Sequence, residues 1–188
     1  MTGHEMAQWL DGTAWSTALH ESLYAYPLIE STHVLTVMLF AGTILMLDLR
    51  LLGLSFTRLP VTEMTTRLLP WTVAGFVVLV STGLLLFYAI PVRTYHSLWF
   101  RVKIALIVIS GVNIWIFHRR VSRDRGAWDR RALPPLGARI NAAVSIATWS
   151  GVIVMGRMIA YNWFDCDRPQ PEWVVNLAGC VIDFSAPP

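Results

Sequence analysis

The stretch that decides the fold is Pro27–Phe56, PLIESTHVLTVMLFAGTILMLDLRLLGLSF. Val34 to Leu47 is an almost unbroken apolar run, with His33 just before it and Asp48-Leu49-Arg50 just after. A helix rises ~1.5 Å per residue, so this stretch is about 40 Å long and crosses the ~30 Å hydrocarbon layer of a bilayer. His33 then lies about two turns inside one surface. An imidazole at that depth is costly and marks a functional position.

The rest of the chain agrees with a membrane setting. Of 188 residues, 55% are hydrophobic and 14% charged, and the mean hydropathy is +0.51. Soluble domains carry about 25% charged residues. The nine tryptophans and five tyrosines suit two interfacial aromatic belts. The start, MTGHEMAQWLDGTAW, has no basic n-region, so no cleavable signal peptide is expected. No Gly-rich phosphate loop, GxSxG, HExxH or CxxC occurs, which leaves nucleotide-dependent and hydrolytic chemistry without a motif.

Taken in order, the chain reads as one all-α membrane domain, a bundle of four transmembrane helices over 27–56, 68–90, 97–118 and 140–163. Residues 1–26 read as an amphipathic interfacial segment with Thr13 or Ser16 as N-cap, and 164–188 as a tail with a short helix at EWVVNLAGC. Gly75 and Gly83 share a face of the second helix, for close packing or close approach of a flat ligand. Ten of the fifteen basic residues fall in 50–67 and 119–139. The positive-inside rule puts both loops in the cytoplasm of a bacterial inner membrane and both termini in the periplasm. Cys166 and Cys180 are then on the oxidising side, where a disulfide between them is expected. That orientation accounts for the arginines without nucleic acid.

Counting inward from the outer surface brings three polar side chains to one level. His33 on the first helix, Lys103 on the third and Arg157 on the fourth each lie about six residues, or ~9–10 Å, below it. Lys103 is the only lysine. Arg101 lies half a turn above it, Glu30 nearly one turn above His33, and His96 two turns before Lys103. Two readings stay open. In the first, the cations snorkel to headgroups, Glu30 is their partner and His33 is a satisfied core histidine. In the second, the group surrounds an anionic or redox ligand. One b-type haem suits that, with His33 and His96 as axial ligands and Lys103, Arg101 and Arg157 meeting the propionates. His20 is the alternative second ligand. His118 lies at the opposite surface, where only Met46 could pair with it, and His4 falls in a mobile terminus. Asp48 and Arg50 read as a latch at the helix end, and Asn113 as a helix–helix contact.

The motifs also resemble a bacterial four-helix inner-membrane family of unknown function. Its first-helix pattern matches Tyr26, Pro27, His33, Gly42 and Asp48 to Gly53; its third-helix start matches Phe100 and Lys103. Its fourth-helix end matches Gly156, Arg157, Ile159, Ala160 and Tyr161. The resemblance brings no activity, but it implies that His33, Lys103 and Arg157 belong together. The architecture further resembles small membrane cytochromes b. Unlike dihaem members of that class, the chain has no histidine pair on the cytoplasmic side, so one haem at most is implied.

The first functional expectation is therefore a membrane electron-transfer protein with one haem b, working between quinol and a periplasmic redox partner. Two alternatives stand beside it. One is a non-enzymatic anchor or accessory subunit of a larger membrane complex. The other is a quinone or small-anion site without haem, in which His33 accepts a proton.

Overall fold

In a computed structural model, all the regular structure among the described residues is helical. Those residues are 2–121, 125–161, 164, 166 and 169–180. Four helices are long and apolar enough to cross a membrane. They are α3 (Ala25–Leu52), α4 (Val61–Ala89), α6 (Leu98–Ile116, continued by a π-helical turn at Phe117–Val121) and α8 (Leu136–Ala160). Their outer faces carry exposed Leu35, Met38, Val77, Leu84, Val108, Val112 and Ile153. A bilayer suits such a surface, and with four helices of this length and hydropathy the chain is a multi-pass membrane protein.

Helix α3 packs along α4 and α8, and α8 packs along α6. Helices α3 and α6 therefore face each other across a diagonal. Polar side chains hold these pairs together. Thr72 donates to Thr43 at 2.9 Å between α4 and α3, and Ser110 to Thr148 at 2.9 Å between α6 and α8. Asn113 and Asn141 exchange amide hydrogen bonds of 2.7–3.0 Å, the helix contact that Asn113 required. Gly75 sits where an added Cβ would be 3.4–3.5 Å from the Phe40 side chain and backbone, so it serves helix packing.

The arginine-rich end is the best packed. Leu51, Val61, Phe117, Trp128, Ala138 and Ala142 form a buried cluster there. Arg50 is fully buried and donates to the carbonyls of Leu59, Asp129 and Arg131 at 2.7–3.3 Å, tying both loops to α3. It is a latch, made through carbonyls rather than through Asp48. Gly53 closes α3 in the left-handed conformation at φ 75°, with Leu133 and Ala132 where a Cβ would stand. Helix α4 starts seven residues earlier than expected, at Val61 rather than 68. The opposite loop caps it: Asp129 accepts from the Thr62 backbone at 2.7 Å, and its carbonyl from the Val61 backbone at 3.2 Å. Local sequence cannot show a cap supplied from 67 residues away.

At the other end, the interfacial segment is two helices, α1 (Gly3–Asp11) and α2 (Ala14–His20). They break at Gly12, and Thr13 caps the second. Helix α5 (Pro91–His96) links α4 to α6, α7 (Arg125–Trp128) lies in the loop before α8, and α9 (Glu172–Ala178) is the short helix of the tail. The Cys166–Cys180 disulfide closes that tail, with the two Cα atoms 5.3 Å apart.

Candidate functional site

All four long helices contribute to a cavity of about 250 Å³ near the end that carries α5. Tyr26, Glu30 and His33 come from α3; Gly83, Leu86, Phe87 and Ile90 come from the end of α4 and the residue after it. Arg93 and Thr94 come from α5, Phe100 and Lys103 from α6, and Gly156, Ile159 and Ala160 from α8. Phe87 and Phe100 stack at 5.6 Å where α4 and α6 meet. The cavity thus combines apolar lining with the polar side chains of Tyr26, Glu30, His33, Arg93, Thr94 and Lys103.

Of these, His33 is fixed against α4. Its Nδ1 lies 2.9 Å from the Thr82 hydroxyl. That hydroxyl has one proton, and it is directed to the Val78 carbonyl at 2.7 Å, as threonines in helices commonly do. With the hydroxyl proton on that carbonyl, a neutral imidazole donates from Nδ1 and keeps its lone pair on Nε2. Gly83 makes this possible: a Cβ there would lie 3.3 Å from His33 Cε1, so glycine lets the ring lie against α4. Gly83 thus does what close approach requires, but toward a side chain.

Lys103 faces the same cavity from α6. No hydrogen bond or ion pair reaches its ammonium among the described residues. Gly156 stands next to it, where an added Cβ would lie 3.6 Å from Nζ. Glu30 lines the same cavity but makes no ion pair with Lys103, so the ammonium is an open donor.

The other expected members go elsewhere. Arg157 is exposed, does not line the cavity, and lies over the Tyr161 ring at 5.0 Å. It is adjacent to Gly156 in sequence but on the outward face, in the last turn of α8, where a cation suits the helix dipole. Arg101 donates to the carbonyls of Leu177 and Ala178 and lies over the Tyr95 ring at 5.4 Å, so it clamps the tail helix. His96 is buried in a second cavity of about 630 Å³, shared with His4, Asp11 and His20. The two cavities have only Ile90 and Arg93 in common. His118 lies in the π-helical turn at the far end, and Met46 is 44% exposed on α3.

This bears on haem. A bis-histidine haem needs two imidazole nitrogens aimed into one slot. His33 and His96 line different cavities, and both ring nitrogens of His96 already have neighbours: the Ala178 carbonyl at 3.0 Å and His4 Nδ1 at 3.2 Å. His20 lines the second cavity as well. The residues as arranged do not fit the expected ligand pair.

Fold and cavity define a four-helix membrane-spanning bundle with a polar site open near one end. A family model described as a family of unknown function (DUF6644) matches residues 16–162, and the chain belongs to that family. No curated protein and no solved structure matches it. The matched region includes His33, Lys103 and Arg157 and leaves out His4 and both cysteines.

Proposed function

We propose that the protein is a quinone-binding component of a membrane electron-transfer system. The ring head of a quinol sits between His33 and Lys103, and its isoprenoid tail runs out to lipid. One observation carries this reading: the His33 ring and the Lys103 side chain, whose ammonium has no hydrogen bond or ion pair among the described residues, line one small cavity with stacked aromatic and aliphatic walls. A quinol hydroxyl donates to His33 Nε2 while Lys103 donates to the oxygen across the ring. Oxidation releases two protons and two electrons: His33 accepts one proton, and the proton of the hydroxyl across the ring leaves to Glu30 on the same wall or to water. The electrons leave to a redox partner, which this chain does not supply.

Size favours the same class. Pockets for drug-sized ligands run from about 300 to 1,000 Å³. At about 250 Å³ the cavity suits a single substituted ring rather than a macrocycle.

We place the protein in a bacterial inner membrane, with the arginine-rich end in the cytoplasm and the termini in the periplasm. The disulfide lies at the end opposite to the arginines, as that orientation requires.

The test is equilibrium binding of a short-chain benzoquinone and its quinol to the protein in lipid nanodiscs. Saturable binding should weaken at least about tenfold in Lys103→Met, since a hydrogen bond from a charged donor is worth roughly 1.5–3 kcal/mol. Equal affinity in wild type and Lys103→Met would sink the reading. A reduced-minus-oxidised spectrum is the companion measurement: a haem band that disappears in both His33→Ala and His96→Ala would restore the haem pair.

A further inference from the structure

The larger cavity has no part in the quinone reading, yet it holds an organised pair of histidines. His96 Nδ1 lies 3.0 Å from the carbonyl of Ala178, which can only accept. His96 Nδ1 therefore carries a proton, and in the neutral ring the Nε2 lone pair accepts from His4 Nδ1, 3.2 Å away. A ring N–H held by a backbone carbonyl is the arrangement that orients metal-ligating histidines. Two nitrogens bound at ~2.0–2.1 Å to one tetrahedral or square-planar ion lie about 2.9–3.4 Å apart. The observed separation falls in that interval. His96 is buried and further fixed by the edge-on ring of Tyr95, 5.4 Å away.

We propose that His4 and His96 form a site for a divalent transition-metal ion of the Zn²⁺ or Cu²⁺ type at this end of the bundle. Either ion takes imidazole readily. A neutral His4 would instead donate from Nδ1 to His96; binding exchanges that proton for the metal and moves it to His4 Nε2 or to water. Among the described residues no three His, Cys, Asp or Glu side chains are gathered around one point, so solvent completes the coordination. Asp11 and His20 line the same cavity and are the side chains able to move in. Occupancy would bind α1, α5 and, through the Ala178 carbonyl, the disulfide-closed tail into one unit. His4 lies outside the matched family region.

The experiment uses the full chain, purified without a polyhistidine tag and stripped with a chelator. Co²⁺, then Zn²⁺, is titrated in nanodiscs and followed by the visible d–d absorption of Co²⁺ and by its displacement. The proposal expects one ion per chain, at least about tenfold weaker binding in His4→Ala and in His96→Ala, and no change in His118→Ala. Retained disulfide and monodisperse elution certify each variant as folded. Should His96→Ala fail that check, His4→Ala alone decides. No saturable binding, unchanged binding in His4→Ala, or binding lost in His4→Ala yet kept in a folded His96→Ala would each overturn it.

Discussion

Lys103 is the only lysine in the chain, and no ion pair reaches its ammonium among the described residues, although Glu30 lines the same cavity. Removing its charge should therefore relieve the apo protein of an uncompensated cation. Lys103→Met is expected to keep or raise thermal stability while it loses quinone, a combination that a merely structural lysine would not give. A fall in melting temperature of several degrees would argue for a structural role. Arg50 predicts the opposite. It satisfies three loop carbonyls from a fully buried position, so Arg50→Ala should cost roughly 3 kcal/mol or more, read by denaturant or thermal unfolding in detergent. At this scale the sequence is partly legible. His33 and Lys103 stand out because each is costly at its depth, and depth follows from helical rise. Arg157 matches them in depth but not in azimuth. A residue count along separate helices gives height above the membrane plane and says nothing of which way each helix is turned. His4 belongs to a docked helix rather than a mobile terminus, and nothing local shows that α1 packs on α5.

Helix pairs are held by polar contacts between apolar faces, and each can be tested as a pair. The Asn113–Asn141 exchange should give a double-mutant coupling of about 0.5–2 kcal/mol with alanine substitutions, the range for hydrogen bonds between membrane helices. Coupling near zero would mean that the reciprocal bonds form equally well in the separated state. The two glycines of α4 divide by function. Gly75→Leu should destabilise the α3–α4 pair, since it meets the backbone of Phe40. Gly83→Leu should leave the fold in place, displace the His33 ring from Thr82 and lose the ligand. The four spans themselves are readable from apolar runs, to within a few residues at most ends. The exception is the start of α4, where Asp129 caps from the opposite loop. Pro70 and the polar 61–67 segment suggest a later start. Ends set by tertiary capping are invisible to local pattern.

Across the whole molecule, the two ends differ in kind. The arginine-rich end is packed and latched; the other end is open, with one cavity lined by α1, α2, α5 and the tail and another between the four long helices and α5. Orientation can be checked with introduced thiols. Thr17→Cys should react with an impermeant maleimide in intact spheroplasts and Ser55→Cys should react only after permeabilisation; the reverse pattern would invert the topology. Number of spans, end-to-end polarity and the disulfide follow from composition and charge, which act along one axis. The division of the histidines between two cavities does not, because it depends on packing in the plane across that axis. The central claim is that the His33–Lys103 cavity holds a quinone head. Photolabelling with a ring-azido quinone in native-lipid nanodiscs, read by peptide mass spectrometry, tests it most directly. The account predicts adducts on the α4 and α6 peptides that carry Phe87 and Phe100, suppressed by excess unlabelled quinone and lost in Lys103→Met. Adducts elsewhere on the bundle, or labelling that excess quinone does not suppress, would contradict it.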